Sequence, residues 1–265
     1  MPETQALYDA IGAGYGATRR ADPGILDELA KYVGLRANGE YLDLACGIGN
    51  YTCALAVTGG RWHGADASAV MLERARSKDC QVAWMLAEAQ ALPYDDRRFA
   101  GVICTLAIHH FIGLEATFAE VARVLRAGMF VLFTAFPEQM RSYWLCHYFP
   151  RMMEESIARM PPKATVLRAL SAAGFTEPVV VPFVVSRDLQ DLFLYAGKVR
   201  PELYLDASVR SNISSFATLC PAQELEEGLE RLRADIAENR FQSIARQYVS
   251  ASGDYAFVVA AKSGI

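Results

Sequence analysis

The sequence lacks three features that mark whole classes of protein. No run of about 18 uninterrupted apolar residues occurs, so we expect no membrane span. The first residues, MPETQALYDAIG, lack a basic start followed by an apolar block, so we expect no secretory signal and a cytoplasmic location. No Lys/Arg-rich run occurs either. With a net charge of −4, the chain is not expected to bind nucleic acid.

Motifs that bind metal ions are also missing. The six cysteines are scattered without a CxxC pair, at Cys46, Cys53, Cys80, Cys104, Cys146 and Cys220. Several of them lie in apolar runs, where a reduced cysteine behaves as a small hydrophobic residue. No cluster of carboxylates follows the fourth predicted strand. The sequence therefore predicts no metal site.

Apolar residues are abundant instead, and their pattern indicates an α/β fold. Hydrophobic residues make up 52% of the 265 and charged residues 21%, so a large core is available. Short apolar runs predict strands at 41–45, 61–66, 81–86, 99–107 and 129–136. The segments between them predict helices at 50–57, 68–77 and 114–126. This alternation favours a parallel sheet with right-handed crossovers.

The alternation stops after residue 137. A segment rich in aromatic residues and Met follows, and then a helix and a strand at 165–175 and 178–185. Residues 187–248 read as helical, with breaks at Pro201 and Pro221, before a last strand at 254–262. The chain therefore leaves the sheet and returns to it.

The stretch LDLACGIGNYT places two glycines directly after the first strand. Without Cβ atoms, Gly47 and Gly49 let the backbone turn sharply and approach a ligand closely. Asp66 ends the second strand, at the spacing of about 20 residues from which an acid binds ribose hydroxyls. Glu88 follows the third strand. These positions predict a ligand with ribose and adenine at the carboxyl ends of the strands.

Two further residues separate the possible ligands. A dinucleotide fingerprint, GxGxxG, would have glycine where Thr52 stands. Asp43 precedes the loop, where an acid would repel a pyrophosphate but attract an ammonium group. This favours S-adenosylmethionine over NAD. An NAD-dependent oxidoreductase and a non-catalytic nucleoside-binding module of the same fold stay open as alternatives.

Five segments in order resemble the motifs of class I S-adenosylmethionine-dependent methyltransferases: LDLACGIGNYT, GADAS, AEAQALPYDD, ICTLAIHHF and VLRAGMFVLF. The small-molecule branch with the ubiquinone/menaquinone-type and type 11 enzymes is most similar. The resemblance covers about residues 37–185 and the final strand. It implies a Rossmann-like sheet, mostly parallel with a C-terminal antiparallel strand, plus a helical lid insertion. It also implies methyl transfer to a small molecule with S-adenosylhomocysteine as product, by a monomer or homodimer.

The resemblance also divides the chain into segments. It implies an N-terminal helical cap (1–36), a cofactor-binding core (37–137), an aromatic-rich insertion (138–160), more core (161–185), a helical substrate lid (186–252) and a final core strand (253–265). Two positions depart from the family pattern. Ala45 stands where many members have the first glycine, and Glu88 where many have Asp.

The family motifs assign the cofactor-binding residues by position. The methionine end of the cofactor would be held by Asp43, Ala45, Gly47 and Gly49, and the ribose by Asp66. The adenine would lie beside Ala67, Met71, Ala87, Glu88 and Ala89, and the sulfonium beside Leu106. In the cap, Tyr15 and Arg19 would contact the carboxylate or the sulfur region.

The candidate catalytic residues are histidines. Displacement at a sulfonium depends mostly on positioning, and a general base helps when the acceptor is a hydroxyl. His109 and His110 end the fourth strand and are candidates, with capping of the next turn as the alternative. His147 is a further candidate. The acceptor would be recognised by two segments outside the sheet. In the first, an apolar pocket would be lined by Tyr143, Trp144, Tyr148, Phe149, Met152 and Met153, with core packing as the alternative. In the second, a carboxylate would be bound by Arg187, Tyr195, Arg200, Tyr204 and Arg210, with solvated arginines as the alternative.

Overall fold

In the computed structural model, which describes residues 18–263, seven strands form one sheet. The strands are β1 Glu40–Leu44, β2 Arg61–Asp66, β3 Val82–Leu86, β4 Phe99–Thr105, β5 Leu125–Thr134, β6 Thr176–Phe183 and β7 Tyr255–Lys262. Their order across the sheet is β3-β2-β1-β4-β5-β7-β6. Strands β1 to β5 pair in parallel, and β7 runs antiparallel to both β5 and β6. The predicted fold class is confirmed.

Helices connect the strands and build the segments outside the sheet. Along the described chain they are α1 Pro23–Val33, α2 Asn50–Thr58, α3 Ala69–Arg76, α4 Leu114–Val124, α5 Pro137–Met140, α6 Leu145–Tyr148, α7 Pro150–Ala158, α8 Lys163–Ala172, α9 Ala207–Ser211, α10 Ser214–Thr218, α11 Ala222–Ala237 and α12 Phe241–Ala245. Short 3-10 turns cover Ile108–His110 and Pro201–Leu205.

Local signals explain where the helices α1 and α3 begin. The carboxylate of Asp22 accepts a hydrogen bond from the Ile25 backbone N–H at 3.1 Å, and Pro23 occupies the first helical position of α1. The hydroxyl of Ser68 caps α3 by accepting from the Met71 N–H at 3.3 Å. Because these caps satisfy N–H groups that have no partner inside the helix, they fix where each helix starts.

Alternating side chains place one apolar cluster on each face of the sheet. Tyr41 and Trp62 are buried in the first cluster, and their rings stack at 5.1 Å. Leu42 and Val102 are buried in the second cluster, beneath α4 and α8. Strands buried on both faces read as nearly continuous apolar runs, as β4 does.

The segments 137–160 and 184–254 pack together against the first cluster. The rings of Tyr143 and Tyr195 stack at 3.9 Å, and the indole N–H of Trp144 donates to the Lys198 carbonyl at 2.9 Å. The Tyr148 hydroxyl donates to a carboxylate oxygen of Asp235 at 3.0 Å. The aromatic-rich insertion and the later segment therefore share one core.

The expectation of helix from residue 187 onward is wrong for residues 187–200, which form turns. Side chains bind the carbonyls of this stretch. The Arg200 guanidinium donates to the Leu189 carbonyl at 2.7 Å, and the Tyr204 hydroxyl donates to the Leu194 carbonyl at 2.7 Å. Because these carbonyls find partners outside a helical ladder, the stretch is stable without one.

Two of the cysteines, Cys53 on α2 and Cys80 before β3, form a disulfide; Cys46, Cys104, Cys146 and Cys220 are free thiols. Nothing in their spacing in the sequence indicated this pair. Between residues 18 and 263, the structure contains no helix that combines the length and the apolar character needed to cross a bilayer.

Candidate active site

A first cavity of about 270 Å³ opens at the carboxyl ends of the central strands. It is lined by the loop after β1, the end of β2 and the segments that follow β3 and β4. Strand β1 has β2 on one side and β4 on the other, so the chain order reverses here. Open α/β sheets bind their ligands at such a reversal.

The structure brings most of the predicted cofactor residues to this cavity. The lining includes Arg19, Ala45, Gly47, Asp66, Ala67, Met71, Ala87, Glu88, Ala89 and Leu106. Asp43 and Gly49 do not line it. Tyr15 lies outside the described residues.

The two glycines of the loop are needed for different structural reasons. Gly47 has φ +55°, and a Cβ added there would meet no atom within 4 Å, so it borders open space in the cavity. Gly49 has φ +69°, but a Cβ there would lie 2.2 Å from the Trp84 ring. Both positions require a left-handed backbone. Gly47 leaves room for a ligand, whereas Gly49 leaves room for packing.

Asp66 connects the loop to the end of β2. One carboxylate oxygen accepts from the Gly47 N–H and the other from the Ser68 N–H, each at 2.8 Å. Burial raises the pKa of Asp66, and the backbone donors oppose that effect. Each oxygen retains further accepting capacity, so the side chain is held in place and can still bind a pair of hydroxyls.

Asp43 lies beneath the loop and is fully buried. One of its oxygens accepts from the Thr52 hydroxyl at 2.6 Å, and the other has no partner within the described chain. Burial raises the pKa of Asp43 to about 7; the Thr52 hydrogen bond opposes this, and nearby Asp66 adds to it. Thr52, which replaces the third glycine of a dinucleotide fingerprint, therefore binds the buried acid.

Two cavity residues other than glycine adopt a left-handed backbone. Ala45 follows β1 with φ +56°, and Leu106 follows β4 with φ +53°. A side chain in this region costs about 1–2 kcal/mol. Such strain concentrates where a site constrains the backbone.

The segment 186–252 contributes an acid that no pattern in the sequence predicted. Asp191 lines the first cavity and forms an ion pair with Arg19 at 2.5 Å. The Tyr51 hydroxyl also donates to Asp191 at 3.2 Å, and the Asn50 side-chain amide donates to the Arg19 carbonyl at 2.7 Å. No motif surrounds Asp191 in the sequence, so only the fold reveals this contact.

A second cavity, of about 120 Å³, adjoins the first. Arg19, Leu106 and His110 line both cavities, and His109 lines the second alone. Burial lowers the pKa of His109 to about 3 and that of His110 to about 4, and the positive charge of Arg159 adds to both shifts. Both imidazoles are therefore neutral near pH 7.

The other candidates for acceptor binding lie elsewhere. His147 packs against the rings of Tyr148 and Tyr248 and lines neither cavity. The aromatic and Met side chains of the insertion are buried in the first cluster and line neither cavity: Tyr143, Trp144, Tyr148, Phe149, Met152 and Met153. Their enrichment marks a core.

Comparison with known proteins agrees with this geometry. A family description, "Methyltransferase domain", matches residues 42–128. Demethylmenaquinone methyltransferase of Clavibacter sepedonicus is 28% identical over 201 residues, 65% of this chain and 82% of that protein. An Anabaena variabilis crystal structure, described as a methyltransferase from an antibiotic biosynthesis pathway, matches with TM-score 0.82. It is 34% identical and covers 92% of this chain and 98% of that chain.

A more distant structure shares the fold alone. Phosphoethanolamine N-methyltransferase 2 of Haemonchus contortus, solved in complex with S-adenosyl-L-methionine, matches with TM-score 0.57. It is 16% identical and covers 97% of this chain and 56% of that chain.

The strand order, the glycine loop after β1 and the acid that ends β2 define a Rossmann-like protein that binds a nucleoside at its switch point. With the match over nearly the whole length of the Anabaena protein, the chain belongs to the class I S-adenosylmethionine-dependent methyltransferases. Its cofactor is S-adenosylmethionine, and its reaction is methyl transfer to a small-molecule acceptor.

Proposed function

We propose that the first cavity binds S-adenosylmethionine and the second binds the acceptor, so that the methyl group passes between them beside Leu106 and His110. The observation that carries this proposal is that the two cavities share these two residues and Arg19. A reacting pair held at such a junction is aligned before reaction. Alignment of this kind is worth about 7–11 kcal/mol of the barrier.

The first cavity has the charges that this cofactor requires. When bound, S-adenosylmethionine supplies a methyl group on a positively charged sulfur. Asp66, Glu88 and Asp191 line the cavity, and Arg19 is paired with the last of them. We assign the ribose to Asp66, because both of its oxygens are oriented by backbone donors. We assign the adenine side to Ala67, Met71 and the 87–89 segment.

Asp43 and Gly49 support the loop rather than line the cavity. Asp43 fixes Thr52 at the start of α2, and Gly49 lets Trp84 pack against the turn. Gly47 borders open space and leaves room for the methionine end of the cofactor. We therefore propose contact roles for Ala45 and Gly47 and supporting roles for Asp43 and Gly49.

His110 is placed to act as a general base. Its neutral imidazole borders both cavities and can accept the proton of a hydroxyl acceptor as the new bond to the methyl group forms. A positioned base contributes roughly 10²–10⁴-fold in rate. His109 lies against His110, with ring centroids 3.8 Å apart, and lines the acceptor cavity.

Calorimetry and turnover together test this assignment. We expect S-adenosylmethionine and S-adenosylhomocysteine to bind and NAD not to bind. With a panel of small phenols, thiols, amines and carboxylic acids as acceptors, His110→Gln should lower the rate at which S-adenosylhomocysteine is produced. The affinity of the variant for S-adenosylhomocysteine should stay within about twofold of the parent's. His147→Gln is the matched control and should behave as the parent. Binding of NAD alone, or equal losses in both variants, would overturn the proposal.

Three further expectations remain predictions. They are the cytoplasmic location, the monomeric or homodimeric state, and the division of the chain into cap, core and lid segments. Sedimentation of the purified protein tests the assembly state, and cell fractionation tests the location.

A further inference from the structure

The charges around the second cavity are of one kind. Among the described residues that line it, the ionisable side chains that carry or can carry positive charge are Arg19, His109, His110 and Arg159, and none is Asp or Glu. Asp191 neutralises Arg19. No carboxylate within residues 18–263 pairs with the Arg159 guanidinium.

Arg159 marks the end of this cavity that reaches solvent. It follows α7, and it and Thr218 of α10 are the exposed members of the described lining. Thr134, Ala135 and Tyr255, at the ends of β5 and β7, are buried. The junction with the first cavity lies at Leu106 and His110, so an acceptor can be anchored at Arg159 by one group and present another to the junction.

Two hydroxyls in the lining supply further donors. Ser214 and Ser215 have no side-chain hydrogen-bond partner within the described part of the chain. The Ser156 and Thr218 hydroxyls differ, because they donate to the backbone carbonyls of Met152 and Ser214 at 2.7 and 2.9 Å. Guanidinium and free hydroxyl donors together suit a group that only accepts hydrogen bonds.

Building on the proposed function, we propose that the acceptor is a small carboxylic acid, held through its carboxylate by Arg159 and the hydroxyls of Ser214 and Ser215. A guanidinium binds a carboxylate through two parallel hydrogen bonds, which fixes the orientation of the acid as well as its position. The apolar part of the acceptor lies against Met140, Phe193 and Leu219. The atom to be methylated then faces His110.

Arg159 is a positioning residue in this scheme. The same cation that would bind the acid lies near both histidines and disfavours their protonation. A bound carboxylate compensates that charge. The imidazole of His110 therefore becomes a stronger base when the acid is in place, which couples binding of the acid to proton removal.

Calorimetry on the protein saturated with S-adenosylhomocysteine tests the inference. The probes are matched acids and amides: benzoate and benzamide, 4-hydroxybenzoate and 4-hydroxybenzamide, cinnamate and cinnamamide, hexanoate and hexanamide. We expect at least one acid to bind roughly tenfold or more tightly than its amide. Arg159→Gln should abolish that preference. Arg151→Gln, at an exposed arginine near the start of α7 that lines neither cavity, should retain it.

Each outcome has one meaning. If S-adenosylhomocysteine does not bind the parent, the proposed function fails. If it binds but no acid is preferred to its amide, or Arg159→Gln keeps the preference, the acid-binding inference alone fails. Turnover of a neutral prenylated naphthoquinol that is equal in the parent and in Arg159→Gln would also overturn it, in favour of a quinol acceptor.

Discussion

The two cavities meet at Leu106 and His110 but carry opposite charge. Acids outnumber cations around the first cavity. Within the described residues that line it, Arg19 carries the one guanidinium. Cations alone border the second within the same part of the chain, and Arg159 is unpaired there. Opposite charges close to a junction favour a cationic donor on one side and an anionic acceptor on the other. The difference indicates that each cavity attracts the substrate of opposite charge before the two react.

The cavities also differ in which parts of the chain build them. Apart from Arg19 and Asp191, the first is lined by residues between 44 and 117, around four consecutive parallel strands. Besides Arg19, the second combines residues near 106, 134–160, 193–219 and 255. The first cavity is therefore built largely by one continuous stretch of the sheet, and the second by segments that come together only in the folded chain.

The largest effect is expected on cofactor affinity in the first cavity, when the acid that ends β2 is removed. Asp66→Ala strips two charge-assisted hydrogen bonds to the ribose, so we expect the affinity for S-adenosylhomocysteine to fall by roughly 10²–10⁴-fold. Isothermal calorimetry measures this. Asp95→Ala, an exposed acid outside both cavities, is the control. An Asp66→Ala protein that is folded and binds as the parent does would refute the site assignment.

The next largest effect is expected at the wall between the cavities. In the Arg19–Asp191 pair, the side chains are only 16% and 2% exposed, so Asp191→Ala removes the carboxylate that offsets a nearly buried cation. We expect the free energy of unfolding to fall by about 3–5 kcal/mol. Urea denaturation of Asp191→Ala and of the exposed control Asp188→Ala provides the comparison. Equal stability of the two variants would mean that the pair contributes little.

The pH dependence of the free energy of unfolding should show whether Asp43, which lies beneath the first cavity, resists ionisation in the folded protein. Burial raises the pKa of Asp43 to about 7, so folding disfavours its ionised form. Its destabilising effect is absent below the unfolded pKa, grows as the pH rises toward 7 and is then constant. Relative to the parent, Asp43→Asn should gain roughly 2–3 kcal/mol between pH 5 and pH 8. Parallel curves for the two proteins would show that Asp43 ionises normally.

The smallest effect concerns the floor of the first cavity. Ala45 has φ +56°, where glycine carries no steric penalty. The relief of strain exceeds the extra entropy that the unfolded chain gains from glycine, so Ala45→Gly should stabilise the protein by about 0.5–1 kcal/mol. Thermal unfolding measures the gain. Ala54→Gly, inside α2, is the opposite case and should lose about as much. Destabilisation by both substitutions would show that the left-handed turn is not strained.

The sequence predicted the sheet, and ten of the thirteen predicted cofactor residues line the first cavity, because both follow from local patterns. Strand β2 was predicted with the observed bounds, and a glycine or acid after a strand marks the edge where parallel strands end. Turns were missed at 187–200, where side chains such as Arg200 bind the carbonyls. Such partners are distant in the sequence and leave no periodic signal.

The second cavity was largely beyond sequence analysis for the same reason. Arg159 and Ser215 are ordinary residues at the end of one short helix and within another, and no spacing relates them to His110. The aromatic residues of the insertion were a plausible pocket lining, yet Tyr143 and Trp144 are buried in the core. Composition shows that an aromatic cluster exists, but only packing shows which side of it faces a ligand.

The position of β7 has a consequence for synthesis on the ribosome. It lies between β5 and β6, so two strands translated earlier depend for their pairing on one translated some 70 residues after β6. While that segment is still inside the exit tunnel, β6 lacks its one neighbour in the described part of the sheet, and β5 presents an unpaired edge. Such an edge invites pairing with other nascent chains. A chaperone that shields the emerging chain would therefore act most usefully during this interval.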